Sequence, residues 1–196
     1  MRLFVAVELD DDVVARLSSI QEKLGSGDFD LKLVEPGNLH LTLKFLGEAQ
    51  ERRVEQIGSI ISGSVNEFRP FTLSFRGIGR FGGRDRVNVI WAGVKEGSGD
   101  FVNLAKALDS GLSFIRREER EPSPHLTIAR VKSGRNVPAL LRELDSLGDV
   151  KIGEVRVNEI KLKQSVLTPQ GPVYSDVKAF SLDRRRQDPP SKEKSS

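Results

Sequence analysis

The sequence predicts an α+β protein of two pseudo-symmetric lobes, each a mainly antiparallel sheet with outer helices, flanking a central cleft. Three observations predict it. The tetrapeptide His40-Leu41-Thr42-Leu43 returns as His125-Leu126-Thr127-Ile128, an offset of 85 residues. At the same offset other strand-like runs correspond, Leu3–Val7 with Asn88–Ala92 and Phe71–Phe75 with Arg156–Ile160. Stripes of helical spacing also fall at matching places between these runs, so each half reads as strand, helix, His-bearing strand, helix, strand.

The elements follow in order. Leu3-Phe4-Val5-Ala6-Val7 is a first strand, closed by Glu8 and the acids Asp10, Asp11 and Asp12. It is too short and too acidic for a signal peptide, and no apolar run approaches the ~20 residues of a membrane span, so a cytoplasmic chain is expected. Val13, Leu17, Ile20 and Leu24 make a helical stripe. Leu39 to Leu46 alternates with period two, placing His40, Thr42 and Lys44 on one face and Leu41 and Leu43 on the other. Val54, Ile57, Ile61 and Val65 form the next helix. Gly77-Ile78-Gly79-Arg80-Phe81-Gly82 matches G-x-G-x-x-G, but the β-like run Val87–Val94 follows where a dinucleotide site needs a helix. The match is therefore a strand–loop–strand connection, with Arg80, Phe81, Arg84 and Arg86 as candidates for a cleft lip that meets phosphates and bases.

In the second half Trp91 is expected in the core, and Asp100 caps a helix carrying Phe101, Leu104, Leu108 and Leu112. His125 and Thr127 share a face, and strict alternation sends Arg130 to the opposite one unless the strand bulges. Asn136 and Pro138 open a last helix with Val137, Leu140 or Leu141, Leu144 and Leu147. A strand from Val173 to Leu182 closes the fold and carries Tyr174. One bilobal domain is expected over residues 1–183, from repeats of about 1–85 and 86–170 and a closing strand at 172–183. Residues 184–196 form a basic tail without an apolar anchor, expected to be disordered.

Composition narrows the chemistry. With no cysteine, thiolate nucleophiles, disulfides and Cys-ligated zinc are excluded. The formal charge of +3 resides in the tail, since residues 1–183 hold 26 basic and 26 acidic residues. Nucleic acid would have to be met by a local patch. There is neither a P-loop nor a G-x-S-x-G elbow. The only two histidines lack H-E-x-x-H spacing, so no metal and no cofactor is expected.

Those two histidines occupy equivalent repeat positions, each followed at i+2 by threonine. Imidazole titrates near neutrality, so one of a facing pair can accept a proton while the other donates one. A neighbouring hydroxyl can hydrogen-bond a non-bridging phosphate oxygen. Two such pairs across a cleft suit the in-line opening of a cyclic phosphate, and Thr42 and Thr127 are the candidate phosphate-binding residues.

On these residues the sequence resembles the two-histidine phosphoesterases, and within them the RNA 2′,3′-cyclic phosphodiesterases, also called 2′-5′ RNA ligases. The resemblance runs from Met1 to about Leu182. Its carriers are Asn38-Leu39-His40-Leu41-Thr42-Leu43-Lys44-Phe45-Leu46-Gly47, Pro124-His125-Leu126-Thr127-Ile128-Ala129-Arg130, and Ser165 with Gly171-Pro172-Val173-Tyr174. It implies hydrolysis of a 2′,3′-cyclic phosphate to a 2′-phosphomonoester without metal or cofactor, and a reverse 2′-5′ joining to a 5′-hydroxyl. It implies His40 as proton donor to O3′ and His125 as the base for water. The expected partners are RNA ends carrying a cyclic phosphate, tRNA fragments among them, met by a monomer away from membranes. Lys44, Phe81, Arg130 and Tyr174 are further candidate substrate contacts. The alternatives are a non-catalytic RNA- or nucleotide-binding module and a phosphodiesterase for a small cyclic phosphate.

Overall fold

The computed structural model describes residues 1–83, 86–169 and 171–182. In chain order the elements are β1 (Arg2–Val7), α1 (Asp11–Gly25), β2 (Leu31–Leu33), β3 (Leu41–Glu48), α2 (Val54–Val65), β4 (Phe71–Gly83), β5 (Arg86–Glu96), α3 (Ser98–Gly111), β6 (His125–Val131), α4 (Val137–Ser146), β7 (Lys151–Val157), β8 (Glu159–Thr168) and β9 (Gly171–Ser181). The strands form two antiparallel sheets, ordered β3-β1-β8-β9 and β2-β6-β5-β4-β7. This is the α+β, two-sheet architecture that the sequence predicts.

Helices cover the sheets on the faces that bury their apolar residues. α1 and α4 lie on the second sheet, α1 against β2, β6 and β7 and α4 against β4. On the first sheet α2 packs against β9, α3 against β3, and the two helices pack against each other. Val13, Leu17, Ile20 and Leu24 of α1 and Phe101, Leu104 and Leu108 of α3 are buried, as their spacing requires. They join one continuous apolar core with Leu41, Leu126 and Ile128 of the His-bearing strands.

The sheets do not divide the chain at its midpoint. β4 follows α2 but crosses to pair with β5, while β8 crosses back to pair with β1. Position for position, β3-β1-β8-β9 matches β6-β5-β4-β7, so the third strand of each sheet comes from the other half of the chain. The proposed correspondence of Phe71–Phe75 with Arg156–Ile160 falls across the junction between β7 and β8, and β8 takes the place equivalent to β4.

Two local expectations are corrected. Asp100 lies inside the first turn of α3, whose N-cap is Gly97 at φ 75°. A Cβ there would collide with the Thr72 carbonyl oxygen, so the chain enters the helix through a glycine. Trp91 is half-buried on the His125 face of its sheet rather than in the core. The expected tail at 184–196 and the lip residue Arg84 lie outside the described residues.

Candidate active site

Both histidines are held in the same way. His40 Nδ1 lies 2.7 Å from the Asn38 carbonyl oxygen and His125 Nδ1 lies 2.7 Å from that of Ser123. A carbonyl only accepts, so each Nδ1 carries the hydrogen and each Nε2 is left with its lone pair. Neither Nε2 has a hydrogen-bond partner among the described residues, nor do the Thr42 and Thr127 hydroxyls. Both threonines are half-buried on the faces opposite Leu41 and Leu126.

The loop that delivers His40 ties the sheets together. Leu33 pairs with Ala129, the Val34 N–H donates to the Ile128 carbonyl at 2.9 Å, and a 3-10 turn over Pro36–Asn38 leads to His40. Asn38 Nδ2 donates to the Pro172 carbonyl at 3.0 Å, fastening the turn to the β8–β9 hairpin. β3 and β6 are neighbours where the sheets meet.

Each His-bearing strand carries a β-bulge just past its threonine. In β3 the register passes from Ala6↔Thr42 to Val5↔Lys44, and in β6 from Trp91↔Thr127 to Ile90↔Ala129. Leu43 and Ile128 are the extra residues, and they are equivalent under the 85-residue offset. The bulges invert the parity that follows. Lys44, expected along the cleft, is turned inward, with its side chain 0% exposed and its ammonium 2.6 Å from Asp109 and 3.7 Å from Glu118. Arg130, which strict alternation hid from His125, is exposed on the His125 side, and its equivalent in β3 is the exposed Phe45.

Aromatic rings brace both imidazoles. Around His40 stand Phe4 and Tyr174, with ring centroids 4.9 and 5.2 Å away, the tyrosine edge-on. Phe81, 40% exposed, meets His125 edge-on at 4.8 Å and lies 5.3 Å from the Trp91 ring. Trp91 lies over Gly79, where a Cβ would collide with its ring, and its Nε1 is buried without a hydrogen-bond partner. Gly77, at φ 78°, takes its chain against the Gly148 carbonyl. These two glycines of the G-x-G-x-x-G run therefore serve backbone crossing and ring packing.

Beneath His40 lies a feature the sequence reading missed. Lys161 and Lys163 of β8 each bridge Glu8 and Asp176, with N···O distances of 2.5–2.7 Å. Burial works to raise the carboxyls of Glu8 and Asp176, but hydrogen bonds from the two lysines outweigh it and both lie below the usual range. The i, i+2 spacing of Lys161 and Lys163 was the available signal, but the partners come from β9 and the end of β1. Burial lowers His40 from the ordinary imidazole value and the Lys163 charge adds to this, against the Asn38 carbonyl and Glu8. Burial raises the Tyr174 hydroxyl, against the charges of Arg130 and Arg2. Among the described residues no group of three or more His, Cys, Asp or Glu could hold a metal ion, and no helix is long and apolar enough to cross a membrane.

The two His-bearing strands thus present two imidazoles with free Nε2 atoms, two threonine hydroxyls without partners among the described residues and an exposed arginine, groups of the kind that move protons and hold a phosphate. The chain belongs to the family described as LigT like Phosphoesterase, whose model matches residues 7–91 and again residues 93–174. Among its relatives, the RNA 2′,3′-cyclic phosphodiesterase of Methanothermobacter thermautotrophicus is 40% identical over 185 residues, covering 93% of this chain and 99% of that protein. The RNA 2′,3′-cyclic phosphodiesterase of Aeropyrum pernix is 38% identical over 177 residues, covering 88% of this chain and 99% of that protein. The crystal structure of TT0787 of Thermus thermophilus superposes with a TM-score of 0.79 at 31% identity, covering 93% of this chain and 98% of the other.

Proposed function

We propose that the protein hydrolyses RNA 2′,3′-cyclic phosphate ends to 2′-phosphomonoesters, with His40 and His125 as the acid–base pair. The observation that carries this is the identical presentation of both imidazoles, each with Nδ1 tied to a carbonyl and Nε2 free. A binding module has no use for two unpaired proton-transfer atoms in equivalent places, and the relatives named above bear the same activity in their names.

In this mechanism the cyclic phosphate lies between the imidazoles, with Thr42 and Thr127 hydrogen-bonded to its non-bridging oxygens and Arg130 against its charge. His125 Nε2 takes a proton from water as its oxygen attacks phosphorus. The P–O3′ bond breaks, and His40 Nε2 gives its proton to O3′, leaving the phosphate on O2′. The two imidazoles have then exchanged protonation states and return through solvent. With a 5′-hydroxyl in place of water, the same steps in the same direction form a 2′-5′ linkage, His125 taking the hydroxyl proton and His40 protonating O3′. His40 is held low in the free protein, and its role as donor requires the anionic phosphate beside it to offset burial and stabilise the imidazolium. Phe81 and Tyr174 offer rings to bases. Lys44 has no part in substrate contact, because its ammonium is buried against Asp109. The proposed form is a monomer acting on RNA ends in the cytoplasm.

The test is digestion of a defined oligoribonucleotide ending in a 2′,3′-cyclic phosphate, with the product end identified by mass and by enzymes that act only on 3′-phosphates. A 2′-phosphate is expected. A 3′-phosphate would exchange the leaving oxygen, and no cleavage of any cyclic phosphate would favour the binding module.

A further inference from the structure

The cations around the histidine faces differ in what they already hold. Lys161 and Lys163 are neutralised by Glu8 and Asp176, and Arg80 is turned to the helix side, with Asp145 of α4 3.8 Å away. At the Tyr174 end the situation is different. Arg2, Ser165 and Tyr174 are cross-strand partners in one row of the first sheet. The Tyr174 ring meets Phe4 at 5.0 Å and His40 at 5.2 Å, which places that row on the His40 face. From the second sheet, Arg130 is the cross-strand partner of Lys32. The Lys32 Nζ reaches over to the β8–β9 hairpin, 3.8 Å from where a Cβ on Gly171 would stand. Arg2, Lys32 and Arg130 are all exposed, and none has an ion pair or hydrogen bond among the described residues. The acid opposite Arg2 in register, Glu48, is paired with the Met1 amino group at 3.5 Å.

With Arg130 assigned to the cyclic phosphate, the two remaining unpaired cations, Arg2 of β1 and Lys32 of β2, stand beside the strands that carry Tyr174 and make a place for a second phosphate. A cyclic phosphate between the histidines terminates a nucleoside whose 5′ oxygen continues the chain. The phosphate met next along that chain is the one these cations can hold. We infer that Arg2 and Lys32 form a subsite for the phosphodiester immediately 5′ of the terminal nucleotide, so that the end of an RNA chain is preferred over a free cyclic nucleotide. This rests on the cyclic-phosphodiesterase reading and names the substrate form within it.

Steady-state kinetics on three substrates decide the matter: a 2′,3′-cyclic mononucleotide, a short oligoribonucleotide with the same end, and that oligonucleotide with an uncharged methylphosphonate at the penultimate linkage. In the wild type the uncharged linkage should lower kcat/KM on the order of tenfold relative to the natural oligonucleotide. The double variant Arg2→Gln, Lys32→Gln should lower the oligonucleotide-to-mononucleotide ratio of kcat/KM by a similar factor, and should no longer distinguish the charged from the uncharged linkage. Its salt dependence on the oligonucleotide should flatten by about 0.7 in log–log slope, the share of one single-strand phosphate. A ratio unchanged by the substitutions, or an equal loss on mononucleotide and oligonucleotide, would overturn the subsite while leaving the hydrolytic reading in place. Wild-type protein that turns over none of the three substrates would remove the hydrolytic reading itself.

Discussion

At the scale of single residues, the two imidazoles differ in surroundings although their backbone tethers are alike. His40 sits beneath Phe4 and Tyr174 and near Lys163, which hold it below the ordinary imidazole value. The limbs of a pH–rate profile belong to the coupled pair, so the His40 share is read from the imidazole itself. Followed by NMR, His40 in the free protein should titrate below the range of free imidazole, and a bound phosphate should move it upward by stabilising the imidazolium. No upward movement on phosphate binding would take the donor role away from His40. His40→Ala or His125→Ala should each cost about 10²-fold or more in kcat, with the fold retained by circular dichroism. Thr42→Ala and Thr127→Ala should cost about tenfold each, the scale of a neutral hydrogen bond of roughly 0.5–1.5 kcal/mol. A threonine variant slower than both histidine variants would reverse that ranking. These four residues were legible in the sequence because a period-two strand fixes which side chains share a face. Arg130, Lys44 and Trp91 were not. One extra residue in β3 and one in β6 invert the parity beyond the threonines, and nothing in the alternation of Leu43 or Ile128 announces it.

At the scale of elements, each bulge is fixed by a helix on its buried side. The Ile128 carbonyl in the β6 bulge accepts from Gln21 Nε2 of α1 at 2.7 Å, and the same amide group donates to the Val34 carbonyl at 2.7 Å. In β3 the fastening is ionic. Lys44, next to the bulge, reaches Asp109 of α3, which also accepts from the Glu118 N–H at 2.9 Å. Burial tends to raise the Asp109 carboxyl, but the hydrogen bond from Lys44 outweighs it and keeps the carboxylate charged. The two ends of this pair are unequal, because the lysine side chain is fully buried and that of Asp109 is 23% exposed. Asp109→Ala should therefore cost about 3–5 kcal/mol in urea unfolding, since it strands an ammonium in the core. Lys44→Met should cost less, because the aspartate left behind can hydrate. The reverse order of the two would show that the ammonium finds water or Glu118 without loss. Helices and strands could be read from spacing, but a lysine written at a cleft-facing parity could be placed in the core only once the bulge was seen.

At the scale of the whole molecule, the sheets are interlocked by covalent crossings. α1 leaves β1 of the first sheet and packs on the second, and α3 leaves β5 of the second and packs on the first. Together with the exchanged strands β4 and β8, this predicts one cooperative unfolding transition. Its two reporters are built in, since the only tryptophan, Trp91, lies in one sheet and the only tyrosine, Tyr174, in the other. Tryptophan fluorescence and tyrosine absorbance should give coincident midpoints in urea. Separate midpoints would mean that the lobes melt independently. The 85-residue offset made the repeat legible. The exchange was not, because periodicity says that a segment is a strand but not which sheet receives it.

The exchange of β4 and β8 also bears on what half of this chain could be. A polypeptide ending after β4 would leave empty the place that β8 fills beside β1. Two copies handing β4 to each other would fill that place in both, as subunits do when they swap an element. The present chain has the form of such a pair written end to end, and that form removes a constraint. Identical twins must present the same side chain on both walls of their shared cleft, whereas two halves of one chain can diverge. Two residues past each bulge, one strand presents the ring of Phe45 and the other the guanidinium of Arg130. A ligand lying between such walls would meet an apolar surface on one side and a charge on the other, so its two directions of binding differ in energy.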